Sequence, residues 1–428
     1  PRFGFQLDAT DLPMFSSDRI VSAQLRGGYG LFAGRVPNVW VASPFANSGV
    51  VQYGSRTGRF PAGTPDCTTG AEITCFRNPE TIYQDFPYSQ FASASPAQAI
   101  DPEYDTPSTW KFNLELLLTT ANGYNLKAAV NIDDAQDGVG FADASASVDQ
   151  VGKTGIVTYN TEDAFYITNA EGTSSNSFTL AMDKEFDNGL DVFASYTNTE
   201  AESGWIATSS QLSSNLENMV AVDRMNVDVG NTPWAIKHRL VAGLNYTANW
   251  FNNAPTKFSL FYKVYSGKRF TYTLDGFDDG YSRYNTRMYV PTAGDPNVVY
   301  QGVTEGEVLT AVQGIGAPGS HVDAHTGQLP YTRGLDLRIA QEIPVNNNYF
   351  GIKDHKLVLY YDLLNVLNFI NEDKGHVYYQ RYNTRGLLDS RGLNDDGQII
   401  ISGVDTRKGT LDQYASRYRM QLGFTYKF

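Results

Sequence analysis

Several features are scarce or absent in this 428-residue chain, and each absence removes a class of function. No run approaches the roughly 18 apolar residues that a transmembrane helix requires, which excludes a helical membrane protein. The net charge of −13 argues against nucleic acid as the main partner, because phosphate binding needs basic patches. No G-x-S-x-G motif occurs, and nothing in the sequence locates a catalytic site. We therefore expect no catalytic residues, no cofactor and no enzyme activity.

Cysteine is equally scarce, since the chain has only Cys67 and Cys75, both within PDCTTGAEITCF. The segment is rich in glycine, proline and threonine, and the spacing suits a small loop closed by a disulfide, which indicates an oxidising compartment. Metal binding is the competing interpretation, but no histidine lies nearby to complete a zinc set. We predict a disulfide between the two cysteines.

Aromatic residues, by contrast, are abundant. They make up 13% of the chain, mostly as 27 Tyr and 24 Phe, although only 41% of the residues are hydrophobic. A chain that is poor in aliphatic but rich in aromatic residues fits strands that meet an apolar phase on one face only.

Period-two alternation is the strongest pattern in the chain. In the terminal segment, one face carries Tyr418, Met420, Leu422, Phe424, Tyr426 and Phe428. Such a face at a terminus would be an aggregation hazard in water unless a core or lipid covers it. Eleven segments have this pattern: PRFGFQL, RIVSAQLRGGYGLF, WKFNLELLL, YNLKAAVNI, SFTLAMDKEF, LDVFASYT, HRLVAGLNY, KFSLFYKVY, RGLDLRIAQE, KLVLYYDLLNVL and the terminal strand.

The connections between these segments alternate between short and long. Short turns include TTANG and Asp187-Asn188-Gly189, both typical of tight hairpins. Long connections without secondary structure are uncommon in compact soluble domains, but in outer-membrane barrels short periplasmic turns alternate with long extracellular loops. A soluble all-β protein with two packed sheets is the alternative. The predicted long, solvated loops cover about residues 33–109, 133–176, 198–236, 267–331 and 369–413.

The fold prediction is therefore an all-β, transmembrane antiparallel β-barrel occupying residues 1–428. Bacterial single-chain barrels have an even number of strands, so we expect these eleven to be part of a 22-stranded barrel, with the chain preceded by further strands. The predicted lumen-facing charges are Lys263, Asp336, Arg338, Arg417 and Arg419. The predicted interfacial aromatic residues are Trp110, Tyr124, Tyr246, Tyr426 and Phe428.

Three smaller motifs have a plain structural interpretation. His321 and His325 in HVDAH have a zinc-like spacing, but the flanking glycines and prolines make a helix doubtful, and we predict no metal. Acidic turns could bind calcium, yet they lack EF-hand spacing, and we favour solvated turns. The residues concerned are Asp275, Asp278, Asp279, Asp395 and Asp396. We expect Gly27, Gly28 and Gly30 to mark a bulge or a close backbone approach.

Several stretches resemble a known family. The terminal aromatic pattern, with Phe424, Tyr426 and Phe428, resembles the carboxyl-terminal signal by which outer-membrane barrels are recognised for assembly. DLLNVLNFIN, residues 362–371, is similar to the penultimate-strand motif of TonB-dependent receptors. Three further stretches resemble the Oar-like branch of these receptors: LRGGYGLFAGRVPNVWVASPFANSGV, KHRLVAGLNY and SGKRFTYTLDGFDDGYSRYNTRMYVPT. Together these stretches cover about a fifth of the chain.

The resemblance implies the carboxyl-terminal half of a barrel whose plug domain is not in this sequence. It also implies energy-coupled uptake across the outer membrane of a Gram-negative bacterium. The implied partners are outer-membrane lipid, the barrel-assembly machinery, and the TonB-ExbB-ExbD complex through the missing amino-terminal part. A surface receptor or scaffold that binds another protein or a partner chain through its long loops is an alternative, and so is a passive pore. The substrate-binding residues are unknown from the sequence.

Overall fold

The computed structural model describes residues 1–46, 52–53, 92–93, 97–251, 254–281, 285–347, 352–380, 382–405 and 409–428. Strands are numbered β1–β28 and helices α1–α5 along the chain. Eleven strands form the meander of the main sheet: β1 Arg2–Asp8, β2 Ile20–Ala33, β6 Ser108–Thr120, β7 Asn125–Gln136, β12 Ser174–Glu185, β13 Leu190–Ser203, β15 His238–Ala248, β16 Thr256–Tyr265, β22 Thr332–Asn347, β23 Ile352–Leu364 and β28 Arg419–Lys427.

The remaining elements lie in the connections between those strands. The strands are β3 Gln52–Tyr53, β4 Ala92–Ser93, β5 Ala97–Ile100, β8 Gly138–Asp143, β9 Ser147–Val151, β10 Val157–Asn160, β11 Ala164–Ala170, β14 Gly230–Asn231, β17 Arg269–Asp275, β18 Tyr289–Val290, β19 Val298–Tyr300, β20 Ser320–His321, β21 Gly327–Gln328, β24 Tyr378–Tyr379, β25 Thr384–Leu393, β26 Ile399–Val404 and β27 Thr410–Leu411. The helices are α1 Asn38–Ala46, α2 Leu212–Glu217, α3 Glu305–Ala311, α4 Val366–Ile370 and α5 Gln413–Ser416.

The main sheet is an antiparallel meander in which each strand pairs with the main-sheet strands that precede and follow it along the chain. Only β14 lies off this path, where it pairs with the end of β13. The eleven segments with period-two alternation are the eleven strands of the meander, so the predicted all-β, antiparallel fold class is confirmed. Within the described residues, β1 pairs only with β2 and β28 only with β23, and the number of 22 strands stays a prediction.

Two of the short turns owe their shape to glycine. Gly123 and Gly189 have φ angles of 77° and 83°, a left-handed conformation in which a Cβ atom would be strained. The backbone N–H of Phe186 donates to the oxygen of Leu190 at 2.8 Å, which closes the turn over Asp187-Asn188-Gly189. The Asn-Gly turn therefore places β12 beside β13, with Glu185 opposite Asp191.

One face of the main sheet is apolar. Because side chains alternate along a strand, residues in register on neighbouring strands form continuous rows on one face. One such row consists of Leu25, Leu116, Ala128, Leu180, Tyr196 and Leu240. A second consists of Leu244, Leu260, Leu337, Leu363 and Met420. Neither row contains a charged side chain.

This apolar face is open to its surroundings. The exposed fractions of Leu422 and Phe424 on β28 are 81% and 71%. Leu180, Leu244 and Leu260 on other strands are also exposed. Exposure of this extent over a whole sheet is far larger than the patches that monomeric soluble proteins carry. The face therefore requires an apolar phase to cover it.

All five long connections leave the same end of the main sheet, because long and short connections alternate strictly along the meander. They comprise residues 34–107, 137–173, 204–237, 266–331 and 365–418, and are called the first to fifth connections. Their described residues are called the cap.

Where the structure describes them, the long connections contain sheets and buried cores and are not simply solvated loops. The fourth and fifth connections share a five-stranded sheet in the order β19-β26-β25-β17-β21. Around it lies a core that includes Leu274, Met288, Val308, Leu388 and Ile399, all fully buried. Glycine and charged residues suggested solvation, but the apolar residues between them are buried by pairing with another connection.

A second core joins the first four connections. It contains Trp40 from the first connection, Phe141 and Phe165 from the second, Leu216 from the third and Tyr281 from the fourth. The Trp40 ring contacts the edge of the Phe141 ring at a centroid distance of 5.4 Å, a favourable aromatic geometry. The cap is thus one folded unit.

Three further predictions have definite outcomes. The glycines of β2 do not form a bulge, because Gly27, Gly28 and Gly30 pair in regular register with β1 and β6. Close approach does occur, since a Cβ atom on Gly27 would lie 2.7 Å from the backbone oxygen of Asn113. Cys67 and Cys75 lie outside the described residues. In the part of the chain that the structure describes, no helix is long and apolar enough to cross a membrane.

Candidate functional site

The second face of the main sheet is polar and carries ion pairs that cross the strands. Near one edge, Glu115 lies between two cations of the neighbouring strands. It accepts a hydrogen bond from Nε of Arg26 at 2.6 Å and also pairs with Lys127. Glu115 is only 17% exposed, so the two cations compensate a carboxylate that is largely removed from water.

The same arrangement recurs near the other edge of the sheet. Glu342 on β22 lies between Lys257 on β16, at 3.3 Å, and Lys356 on β23, at 3.4 Å. The two sites share one pattern, in which a central glutamate is flanked by cations on the strands to either side. They fix the register of three strands at each place, because a shift of one residue would turn the charges to the apolar face.

Four of the five predicted lumen-facing charges, Lys263, Asp336, Arg338 and Arg419, lie on this polar face. Arg338 binds Asp362 through two hydrogen bonds, from Nε at 2.5 Å and from Nη2 at 2.7 Å. Asp336 is 3.7 Å from Lys263 Nζ and accepts a hydrogen bond from the backbone of Asn365 at 2.8 Å. Arg419 is in register with Leu364 of β23 on the polar face, and Arg417 is an exposed residue just before β28.

Two phenyl rings interrupt the polar face at its middle. Phe193 on β13 and Phe261 on β16 both lie in register with Gly243 on the strand between them. Their ring centroids are 6.4 Å apart with the planes at 37°. A Cβ atom on Gly243 would overlap the Phe193 ring, so the glycine makes room for the two rings to approach each other.

A buried ion pair holds the third and fourth connections together. The Arg224 and Asp279 side chains are 1% and 6% exposed, and Arg224 donates to Oδ2 of Asp279 from Nε at 2.8 Å and from Nη2 at 2.6 Å. Asp279 also accepts from the Thr286 hydroxyl at 3.2 Å. The remaining guanidinium nitrogen donates to three backbone oxygens, those of Leu216, Glu217 and Met219.

Backbone contacts join the other connections in the same way. Strand β17 of the fourth connection runs parallel to β25 of the fifth. The backbone N–H of Lys153 in the second connection donates to the oxygen of Gly397 in the fifth at 2.8 Å. The Trp40 indole N–H donates to the oxygen of Ser209, which links the first connection to the third. A single connection therefore cannot move away without breaking buried contacts to the others.

The two histidines of HVDAH make separate contacts within the cap. His321 contacts two backbone oxygens, that of Arg287 through Nδ1 and that of Thr154 through Nε2, both at 3.1 Å. His325 is 1% exposed, and its Nδ1 lies 3.1 Å from the hydroxyl of Thr271. The described residues hold no group of three or more His, Cys, Asp or Glu that could bind a metal ion.

Burial shifts the acid–base behaviour of several cap residues. It lowers the pKa of His325 to about 4, with the nearby Arg269 and Lys268 charges acting in the same direction. Burial also lowers the pKa of His321, although its two carbonyl contacts oppose that effect. The pKa of Tyr159 is raised by burial and by its hydrogen bond to Asp223. His325 is therefore uncharged at neutral pH.

The aspartates of the predicted acidic turns differ in burial and in hydrogen bonding. Asp279 is not a solvated turn residue, because it is 4% exposed and paired with Arg224. Asp278 instead accepts the backbone N–H of Gly280 two residues later, as an aspartate in a tight turn does. The difference between these adjacent residues depends on a side chain in another connection, and nothing in the local sequence indicates it.

The terminal strand has the predicted geometry, with Phe428 96% exposed and Phe424 71% exposed. The hydroxyl of Tyr426 lies 2.7 Å from Nδ1 of His355 on β23. At the opposite end of the strands, Tyr29 and Trp110 stack with their centroids 4.7 Å apart. Aromatic residues thus lie at both ends of the apolar face. The role of Phe424, Tyr426 and Phe428 as an assembly signal stays a prediction.

Sequence analysis missed two features of the site. Arg224 and Asp279 are 55 residues apart, and no local pattern pairs them. Phe193 and Phe261 could have been noticed, because each is an apolar residue at a position where its strand alternation predicts a polar one. The strand segments DVFASYT and KFSLFYKVY both show this irregularity.

No protein-family model and no curated protein matches this chain. Among solved structures, the chain is similar to the outer-membrane transporter YddB from Escherichia coli. The identity is 9% and the TM-score 0.42, over 95% of this chain and 38% of that one. It is also similar to a mutant of the ferric enterobactin receptor PfeA from Pseudomonas aeruginosa, with 9% identity and a TM-score of 0.43, over 100% of this chain and 40% of that one. The chain thus spans about two fifths of the length of both.

Proposed function

We propose that this chain is the membrane-spanning part of an outer-membrane receptor of the TonB-dependent type, which takes up a substrate through a plugged barrel. One observation supports it above all others. The eleven-stranded meander has one continuous apolar face and one polar face, and all five long connections leave the same end.

The physical reason lies in the backbone. In hydrocarbon every N–H and C=O group must be paired within the protein, which only helices and closed barrels achieve. The apolar face, with aromatic residues at both ends, meets lipid, and the polar face with its ion pairs lines a lumen. The long connections are extracellular and the short turns periplasmic. Strands that pair with β1 and β28 complete a barrel of 22, because an unpaired edge is not viable in lipid.

The finer parts of the proposal derive from the sequence resemblance. A plug domain outside this chain closes the lumen, and the TonB-ExbB-ExbD complex supplies energy through a segment ahead of the plug. The barrel-assembly machinery inserts the protein with Phe424, Tyr426 and Phe428 as its signal. The ion pairs of Glu115 and Glu342 then form a firm lumen wall against which a plug can move.

A surface receptor that binds another protein, with little or no transport, is the second candidate. The folded cap favours it, because five interlocked connections offer a preformed surface rather than flexible loops. Preformed surfaces bind partners without the entropic cost of ordering a loop.

Cell fractionation with an uptake assay separates these functions. The protein should be found in the outer membrane, and on intact cells an antibody against residues 313–320, a largely exposed part of the fourth connection, should bind. Inactivation of TonB should abolish uptake by the receptor without changing its amount in the membrane. Uptake that persists without TonB would indicate a passive pore, and surface binding without uptake would indicate the receptor alone. A soluble protein would refute both.

A further inference from the structure

A groove lies in the apolar face of the main sheet, in the half nearer the short turns. Its volume is about 470 Å³, within the range of roughly 300–1,000 Å³ that ligand pockets occupy. The small side chains of Ala128 and Ala194 lie opposite Leu180 and Met182 on β12, and this difference in length makes the depression. The side chains that line the groove are apolar and include Leu116, Leu126, Ala128, Leu180, Met182 and Ala194.

A lysine lies at the end of this groove that faces the short turn between β12 and β13. Lys184 is two residues beyond Met182, so its side chain points to the same face of the strand. Its Nζ lies 4.3 Å from the centre of the Tyr124 ring and 4.4 Å from that of the Phe186 ring. Both rings attract the ammonium group, which keeps it beside the groove.

This ammonium group has no counter-ion in the part of the protein that the structure describes. Ion pairs there join other cations to carboxylates, mostly on the polar face, and none of them includes Lys184. A cation at the edge of an apolar face is costly unless an anion accompanies it. The groove therefore combines an apolar floor with a site for one negative charge at its end.

We propose that the groove and Lys184 bind one phospholipid, with an acyl chain in the groove and the phosphate diester of the headgroup beside Nζ. A phospholipid carries its phosphate next to its acyl chains, so one molecule supplies both the counter-ion and the apolar surface. From Lys184 the groove runs past Met182 toward Leu180 in the middle of the sheet. The acyl chain then points to the centre of the bilayer, and the headgroup lies at the short-turn end.

The same contacts argue against a protein as the occupant. An apolar segment of another protein would fill the groove but would leave the Lys184 ammonium buried without a partner. A second copy of this chain, docked through its own apolar face, has the same defect. The two rows of that face described above contain no acidic residue that could meet the lysine.

This inference rests on the proposed function, because that function makes the apolar face meet lipid and the short turns periplasmic. It deepens the function by naming a lipid partner and its leaflet, which is the periplasmic one. Lipid that merely surrounds a barrel wets every apolar position alike. A bound phospholipid, by contrast, depends on one cation and on the shape of one groove.

The test is native mass spectrometry of the full-length protein, purified from outer membranes and stripped of lipid by detergent exchange. The probes are dioleoyl phosphatidylglycerol, dioleoyl phosphatidylethanolamine and dioleoylglycerol, which has the same chains but no phosphate. Lys184→Met keeps the apolar stem and removes the charge. Arg333→Met is its matched control, because Arg333 is an exposed cation in register with Val264, on the apolar face at the cap end.

A second pair of variants tests the groove. Ala194→Leu fills it, and the new side chain points out of the sheet, so no buried packing is disturbed. Ala242→Leu is the matched control, because Ala242 is the register neighbour of Ala194 on the same face and lies outside the lining of the groove. Heat-modifiable migration on gels checks that each variant is folded.

We expect the wild type to bind one molecule of either phospholipid more tightly than dioleoylglycerol. Lys184→Met should weaken the binding of both phospholipids about tenfold and leave dioleoylglycerol unchanged, since only the charged contact is lost. Ala194→Leu should weaken the binding of all three lipids. Arg333→Met and Ala242→Leu should behave as the wild type.

Three results would overturn the site. Equal affinity of the wild type for all three lipids would show that no phosphate is recognised. Equal effects of Ala194→Leu and Ala242→Leu would show that lipid covers the sheet without using the groove, and a dimer in place of the lipid complex would assign the groove to a second copy. In these cases the protein still spans the outer membrane, so only the lipid site fails. A protein that does not reach the outer membrane would refute the proposed function itself.

Discussion

The ion pair between Arg224 and Asp279 offers the sharpest test of the folded cap. In Asp279→Asn the amide replaces a carboxylate that accepts two hydrogen bonds from the guanidinium, at 2.6 and 2.8 Å. Arg224 then keeps its charge at a site where its side chain is 1% exposed. It also keeps its three backbone acceptors, so the side chain has no easy route to solvent.

The expected cost is large because the charge is left without a counter-ion. Removal of one partner from a buried pair destabilises by about 3–5 kcal/mol, and the amide oxygen still accepts one hydrogen bond, so we expect the lower end of that range. A loss of about 3 kcal/mol raises the open population of the cap roughly 150-fold. The hydrogen-bond partners described above for this pair all lie in the cap, so we expect the main sheet to be unaffected.

Hydrogen exchange with mass spectrometry measures this effect region by region. Peptides from residues 212–225 and 270–281 should exchange about two orders of magnitude faster in Asp279→Asn, while peptides from β15 and β16 should not change. Glu200→Gln is the matched control, because the side chains of the Lys237–Glu200 pair are 40% and 60% exposed, and such exposed pairs contribute little to stability. Equal protection in Asp279→Asn and the wild type would refute the interlocked cap.

Three further predictions concern assembly, pH and the two faces of the sheet. Deletion of Phe428 should reduce the amount of protein in the outer membrane, measured by heat-modifiable migration, and normal assembly would show that the terminal strand carries no signal. Because burial lowers the pKa of His325 to about 4 and also lowers that of His321, their contribution to cap stability is present above about pH 6.5 and is lost as the pH falls toward 4. Cap peptides should therefore exchange faster at pH 5 than at pH 7.5 after correction for intrinsic rates, and His325→Gln should reduce the difference. Leu260→Arg should lower the free energy of unfolding of the barrel by about 2–4 kcal/mol in a refolding titration. Ser259→Arg, one residue away on the polar face, should lower it far less. Equal losses in the two variants would contradict the assignment of the faces.

Local sequence patterns are enough to specify the main sheet. Alternation along a strand is a local property, since each residue faces either the apolar or the polar side, and the segment from Trp110 to Leu118 shows it without reference to any other part of the chain. The Asn-Gly turn at 188–189 then fixes which strand follows as neighbour. A meander needs only such nearest-neighbour information. This is why eleven strands, their order and the end from which the long connections leave could all be predicted.

The cap and the paired phenyl rings, by contrast, form through contacts between residues that are far apart in the sequence. The parallel pairing of β17 with β25 joins residues more than a hundred positions apart. No periodicity within either connection predicts that the two strands pair. Asp278 and Asp279 are adjacent and chemically identical, yet one is in a turn and the other is buried beside Arg224. Likewise Phe193 and Phe261 become a single surface only because Gly243 on the intervening strand leaves room for both rings. Pairing at long range depends on which buried charges and apolar surfaces meet when the whole chain folds, and that is a property of the three-dimensional structure rather than of any local segment.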